Sequence, residues 1–195
     1  MANDVELVKA LQAVIAKTAE GLAPMTFMEV CGTHTMSIYK NGLQQLLPPN
    51  IQLISGPGCP VCVTPMSYID ELVALGNTGA IIVSFGDMLR VPGSKLSLQQ
   101  AAANGVDVRM AYSPLDAVEI AEFYPNKQVV FAGVGFETTA PLVGSAILTA
   151  QQKGLKNFSV LAAHKTMPNA LKALLTDNKA VTGLLCPGHV AAVTG

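Results

Sequence analysis

Short runs of β-branched and apolar residues recur along the chain, and amphipathic stretches fill the intervals between them. The runs are near-continuously hydrophobic rather than alternating, which is typical of strands that are buried on both faces of a parallel sheet. We therefore predict seven strands, at residues 26–30, 51–54, 80–85, 106–112, 128–134, 158–162 and 181–185.

Capping residues mark helices between these strands. Thr64 with Pro65 is expected to begin one helix, which Gly76 would end. Ser113, followed three residues later by Asp116, has the spacing of a capping box and predicts the start of another helix. Strands that alternate with helices predict an α/β fold with parallel sheets.

Seven strand–helix units fit either one doubly wound sheet or two smaller lobes. We favour an α/β fold of two Rossmann-like lobes, with parallel sheets covered by helices. The polar segment 124–127 divides the chain into residues 1–124, with the N-terminal helix and the Cys/His loops, and residues 125–195. Because the second lobe would hold only three strands, we expect it to be incomplete.

Composition excludes several classes of partner. Hydrophobic residues make up 50% of the chain, charged residues make up 13%, and the formal net charge is −1. A chain without a run of basic residues is not expected to bind nucleic acid. No apolar run approaches the ~18 residues that a membrane-spanning helix requires. Four cysteines in a chain of this length do not form a secreted disulfide framework, which favours the cytoplasm.

Reactive side chains follow the predicted strands. Cys31, Cys59, Glu137, His164 and Cys186 each come just after the carboxyl end of a strand. Open α/β sheets bind ligands outside these ends. The pattern therefore predicts a functional site along the carboxyl edge of the fold.

Cys59 and Cys62 form a CxxC pair in front of the helix that Thr64 is expected to cap. Two thiols at this spacing can close a small disulfide, and a helix N-terminus favours the thiolate, so a redox role is indicated. With Cys31 and His34, the same pair would also complete a Cys3His zinc site. The residues alone leave both interpretations open.

A glycine-containing turn, 133–139, follows the fifth predicted strand and begins a helix. It has the general character of a phosphate-binding turn but lacks the third glycine of that motif. Within it, Glu137 would either offset the helix dipole or present a carboxylate to a ligand.

Several of these motifs together resemble the signature blocks of the HypD family of [NiFe]-hydrogenase maturation factors. The resemblance runs from about residue 25 to the end of the chain. It rests on the following segments: Cys31-Gly-Thr-His34-Thr35, Leu47-Pro48, Ser55-Gly-Pro-Gly-Cys59-Pro-Val-Cys62-Val-Thr64, Gly135-Phe-Glu-Thr-Thr139 with Pro141, His164-Lys165 and Cys186-Pro-Gly-His189.

The resemblance implies a scaffold on which the Fe(CN)2CO group of the hydrogenase is assembled. Cys31 matches the family cysteine that binds the iron together with the small chaperone HypC. Cys59 and Cys62 match a proposed thiol–disulfide couple beside it. HypE, which carries the cyanide-yielding group, is the expected third partner.

The same motifs imply further site residues and a cleft between two α/β lobes. We expect His34, Glu137 and His164 to line that cleft. Thr33, Gly58 and Thr138 are expected to contact the bound group.

The chain also departs from the family pattern. Family members are nearly twice as long, and they carry a C-terminal region with a [4Fe-4S] cluster, for which this sequence offers no set of four ligands. Met167 and Pro168 also stand where the family resemblance leads us to expect two prolines.

Overall fold

A computed structural model of the protein describes residues 2–56, 58–177 and 180–194. All seven predicted strands are confirmed, with ends that differ by at most three residues from the prediction. The strands are β1 Met25–Glu29, β2 Ile51–Ser55, β3 Ile81–Phe85, β4 Val108–Ala111, β5 Val129–Gly133, β6 Phe158–Ala162 and β7 Gly183–Leu185. The helices are α1 Ala2–Ala19, α2 Gly32–Lys40, α3 Met66–Asn77, α4 Leu98–Ala103, α5 Pro114–Phe123, α6 Ala140–Gln152, α7 Met167–Asp177 and α8 Gly188–Thr194.

The strands form two sheets, each in its own compact unit. The first unit comprises residues 1–59, 168–193 and Gly195, and its sheet has the order β2-β1-β7. The second unit comprises residues 60–167 and Thr194, and its sheet has the order β4-β3-β5-β6. Every pairing in both sheets is parallel. The predicted α/β fold with helix-covered parallel sheets is confirmed.

The central strands of the second unit explain why the sequence runs are continuously apolar. Alternate residues of a strand point to opposite faces of the sheet. Ile82 and Val130 pack on one face with Leu72 of α3, whereas Val83 and Phe131 pack on the other with helix α5. Both faces of the sheet are therefore covered by helices. Neither β3 nor β5 has a solvent-facing side on which polar residues would alternate with apolar ones.

The compact units divide the chain at places other than the boundary expected near residue 124. That boundary falls inside the second unit, because β5 pairs with β3 and β6 pairs with β5. Strand β7, expected in the lobe 125–195, pairs instead with β1. The division is set by hydrogen bonds between strands that are distant in sequence. The polar segment 124–127 carries no information about these pairings.

The helix starts were predicted with mixed success. Ser113 and Asp116 form the expected capping box of α5, in which Asp116 also accepts a hydrogen bond from the amide of Ser113 at 3.0 Å. Thr64 does not cap α3, since its hydroxyl donates to the carbonyl of Pro60 at 2.8 Å. Gly76 lies inside α3 rather than ending it, and a β-carbon there would collide with Val106.

Within the part of the chain that the structure describes, none of the helices has the length and apolar character needed to cross a membrane.

Candidate thiol site and buried carboxylates at the strand ends

Three cysteines of the first unit lie at the carboxyl edge of its sheet. Cys31 comes two residues after β1, Cys59 four residues after β2, and Cys186 directly after β7. Because β2, β1 and β7 are parallel neighbours, their carboxyl ends share one edge. The prediction that cysteines follow the carboxyl ends of strands is therefore confirmed for this unit.

The loops that carry Cys31 and Cys59 are in direct backbone contact. A β-carbon on Gly58 would lie 2.5 Å from the amide nitrogen and Cα of Cys31 and 2.6 Å from its carbonyl carbon. Only glycine fits there, since real β-carbons do not approach other atoms so closely. Gly58 thus lets the Cys31 backbone pack against the residue next to Cys59. Pro57, which precedes Gly58 in the family motif, lies outside the described residues.

Cys31 occupies the position just before helix α2. Its backbone is extended, its side chain is 7% exposed, and its carbonyl accepts the amide of Thr35 at 3.2 Å. The amides of the first turn, which includes Thr33 and His34, point towards this end of the helix. The side chain of Cys31 makes no capping hydrogen bond to these amides.

His34 lines a cavity in the first unit. The cavity has a volume of about 420 Å³, and Ser37 and Cys186 lie on its walls together with apolar side chains. The structure therefore brings His34 and Cys186 to one cavity. It places Cys31 at the start of the helix that carries His34.

Cys59 and Cys62 differ in exposure and in the unit to which they belong. Cys59 is half-buried and belongs to the first unit, whereas Cys62 is exposed and belongs to the second. A 3-10 turn at Val61–Val63 follows Pro60, so the pair is separated from α3 instead of lying directly at its N-terminus. None of the four cysteines forms a disulfide bond.

Glu137 and His164 lie beyond two neighbouring strands of the second unit. The segments after β5 and β6 are joined by hydrogen bonds from Ala163 to Gly133, at 2.8 Å, and from Lys165 to Gly135, at 3.0 Å. The Oε1 atom of Glu137 accepts the amide of Met167 at 2.7 Å. These bonds hold both side chains at the same sheet edge.

Each of these two side chains has a buried polar atom without a hydrogen-bond partner among the described residues. The atoms are Oε2 of Glu137 and Nε2 of His164. Burial lowers the pKa of His164 below its ordinary value of 6.5, so the neutral imidazole is favoured. A neutral imidazole and a carboxylate oxygen can both take part in proton transfer or in binding a polar ligand.

The glycine turn 133–139 is filled by its own side chains. A β-carbon on Gly135 would meet the side chain of Thr139, and one on Gly133 would lie 3.2 Å from Cε1 of His164. These two glycines therefore permit close packing within the second unit. Thr138 is half-buried in the turn before α6.

Sequence reasoning missed a buried carboxylate next to the thiol loops. Glu29 ends β1 and is 2% exposed, and its Oε1 accepts the hydroxyl of Ser55 at 3.0 Å. The signal available in the sequence was a single acidic residue at the end of the apolar run 25–30. Charged residues are almost never fully buried unless they are paired.

Among the residues that the structure describes, no group of three or more His, Cys, Asp or Glu side chains is arranged to hold a metal ion.

Comparison with known proteins identifies the class to which this fold and these motifs belong, namely the factors that act in hydrogenase formation. Residues 6–195 match the sequence profile described as "HypD: Hydrogenase formation hypA family". The chain belongs to the HypD family, and the resemblance found in its motifs is confirmed.

Individual relatives agree with this assignment. The chain is 49% identical over 200 residues to the hydrogenase maturation factor HypD of Rhodobacter capsulatus, covering 99% of this chain and 53% of the relative. It is 45% identical over 183 residues to the hydrogenase maturation factor HypD of Escherichia coli K12, covering 93% of this chain and 48% of the relative. For the HypD of Azotobacter vinelandii the identity is 44% over 193 residues, covering 95% and 51%. The chain spans about half the length of the curated relatives it matches.

Proposed function

We propose that this chain takes part in [NiFe]-hydrogenase maturation by holding iron through Cys31 while the Fe(CN)2CO group is assembled on it. The iron is the cargo of the reaction. The observation that carries the proposal is the position of Cys31, which is buried, directly precedes α2 and has its backbone packed against Gly58. A small HypC-type chaperone would supply a second ligand, and a HypE-type protein would deliver cyanide.

The chemistry of Cys31 suits this cargo. Thiolates are soft ligands for iron in a low oxidation state. Cys31 is only 7% exposed, and this burial protects its thiol from bulk oxidants. His34 and Thr33, in the first turn of the same helix, are the candidates to orient the bound group from the first unit.

Cys59 and Cys62 are proposed as the redox partners of the assembly. As a dithiol, the pair gives up two electrons and two protons when it closes to a disulfide, and it takes up the same number on reopening. The half-buried Cys59 and the exposed Cys62 are unequal in access to a reductant, as expected of an attacking and a resolving thiol.

Glu137 and His164 are proposed to handle protons or to bind a polar ligand in the second unit, with Thr138 beside them. The support is the pair of buried polar atoms that lack partners among the described residues. The [4Fe-4S] cluster expected from the longer family members enters none of these steps.

The central test is the variant C31A, co-purified anaerobically with a HypC-type chaperone and examined by infrared spectroscopy and iron analysis. We expect the cyanide and carbonyl bands and the bound iron to be lost while the far-ultraviolet circular dichroism is unchanged. The matched control is C186A, which removes a cysteine from another strand end of the same unit. Wild-type bands in the C31A complex would contradict the ligand role.

A second candidate function is thiol–disulfide oxidoreduction by Cys59 and Cys62 alone. It is favoured by the exposed position of Cys62 and by the half-buried position of Cys59. It predicts turnover of a small disulfide with dithiothreitol as reductant, without iron or a partner protein. Turnover that survives in C31A and disappears in C59S would support this function over the first.

A further inference from the structure

Glu29 joins the two strands that lead into the cysteine loops. It is the last residue of β1 and stands opposite Ser55, the last residue of β2. The Ser55 hydroxyl donates to its Oε1 at 3.0 Å, and its backbone carbonyl accepts the amide of Gly56 at 2.7 Å. Both bonds therefore lie at the point where β1 and β2 end.

The second carboxylate oxygen of Glu29 is buried and has no hydrogen-bond partner among the described residues. A buried polar group left unsatisfied costs about 1–3 kcal/mol, and more when it is charged. Replacing a buried polar group and its partner by apolar groups of the same shape can be nearly neutral or even stabilising. The carboxylate therefore does not stabilise the sheet at this position, and the reason for its presence must lie elsewhere.

The two loops that leave these strands provide that reason. Cys31 lies two residues after Glu29, and Gly58 lies three residues after Ser55. The backbones of Cys31 and Gly58 are packed so closely that no β-carbon fits between them. A small shift of one strand end relative to the other would separate these two loops.

We propose that Glu29 is a positioning residue for Cys31, acting through its hydrogen bond to Ser55 and the strand-end register that this bond fixes. The inference rests on the proposed function of Cys31 as the thiol that holds iron. Glu29 itself does not touch the cargo. Its effect is to keep the Cys31 loop against Gly58, so that the thiol stays buried at the start of α2.

The test is the rate at which Cys31 reacts with iodoacetamide in the wild-type chain and in the variants E29L, E29Q and S55A. The rate is read at each cysteine by peptide mass spectrometry, and a urea denaturation curve is recorded for each variant. The control is E20Q, which neutralises an exposed glutamate of the same unit.

We expect E29L to keep or raise the denaturation midpoint while Cys31 is labelled about tenfold faster, as for the loss of a charge-assisted hydrogen bond. S55A, which removes the donor, should change the rate in the same direction. E29Q retains an acceptor for Ser55 and should restore the rate to within about twofold of wild type. E20Q should match wild type.

Unchanged labelling of Cys31 in both E29L and S55A would overturn the inference. So would a lower midpoint in E29L that E29Q does not restore, since Glu29 would then serve stability alone. If E29L does not fold, S55A and E29Q decide between these outcomes. The assay needs no iron and no partner, so its failure leaves the iron test of Cys31 standing, and failure of the iron test does not change the labelling result.

Discussion

Single residues set the geometry of the candidate site through their size and hydrogen bonds. Gly58 permits a backbone approach to Cys31 that any β-carbon would block. Glu29 accepts a hydrogen bond from Ser55 at the strand ends from which both loops start. In the second unit, Glu137 fixes the first amide of α7 while its other oxygen stays unpartnered among the described residues. The positions of Cys31 and of the start of α7 therefore depend on the size and the hydrogen bonds of neighbouring residues.

Substitution of Gly58 tests this dependence. G58A places a methyl group against the Cys31 backbone, and we expect it to lower the free energy of unfolding by about 1–3 kcal/mol, as overpacking does. The control is G144A in α6, where a β-carbon meets nothing within 4 Å. There alanine should stabilise the helix by about 0.5–1 kcal/mol. Urea denaturation measures both, and equal effects would contradict the packing role of Gly58.

The pH dependence of stability tests the burial of His164. Above pH 6.5 the imidazole is neutral in both the folded and the unfolded chain. Below that pH the unfolded chain binds a proton that the folded protein resists, so the free energy of unfolding falls as the pH is lowered towards the depressed pKa. H164N removes this contribution.

The measurement is the urea midpoint at pH 7.5 and pH 5.5 for wild type and H164N, with H189N at an exposed histidine as the control. We expect the midpoint of H164N to fall less between the two pH values than that of wild type. An identical fall in both proteins would show that the lowered pKa of His164 makes no contribution.

At the scale of elements, loops are fixed by side chains that satisfy buried carbonyl groups. Asn157 precedes β6, and its amide donates to the carbonyls of Ala121, Tyr124 and Lys127 at 2.8, 3.0 and 3.0 Å. These carbonyls belong to the end of α5 and to the turn before β5. One buried side chain thus holds the connection between two elements beside the strand it precedes.

Removal of this side chain should loosen the connection. N157A leaves up to three carbonyls without their donor, and we expect the free energy of unfolding to fall by about 1–3 kcal/mol. The matched control is N104A, which changes the exposed Asn104 after α4. Thermal denaturation followed by circular dichroism measures the difference. A midpoint for N157A equal to that of N104A would contradict the proposed role.

At the scale of the whole molecule, the two units differ in how the chain builds them. The second unit is nearly continuous in sequence, and its clustered apolar core, from Val61 to Ala163, lies within residues 60–167. The first unit needs two separate segments, because β7 pairs with β1 across more than 150 residues. Such long-range pairing requires a long loop to close, and the entropy lost on closure is compensated only after the strands have made contact.

This difference predicts how fragments behave. A fragment of residues 60–167 should fold cooperatively, because it retains its four-stranded sheet and its clustered core. A fragment of residues 1–59 lacks β7 and should remain largely unfolded. Circular dichroism and urea denaturation of the two fragments test the expectation. Non-cooperative unfolding of the fragment 60–167 would contradict it.

The sequence predicted the strands well because burial on both faces leaves a continuous apolar run, as in β3 and β5. It also predicted the cap of α5, since a capping box is local. It did not predict that Gly76 and Gly135 are required by Val106 and Thr139, because these contacts form only after packing. Glu29 was missed for the same reason, since its burial depends on β2 and β7 lying on either side of β1.

The sequence by itself determined the α/β class, the positions of the strands and the family motifs at their carboxyl ends. These features depend on hydrophobic periodicity and on residues adjacent along the chain. The tertiary structure decided which strands share a sheet, where the units divide, that Gly58 packs against the backbone of Cys31 and that Glu29 is buried beside Ser55. Those properties arise from pairing and close packing between segments far apart in sequence, which no local pattern of residues records.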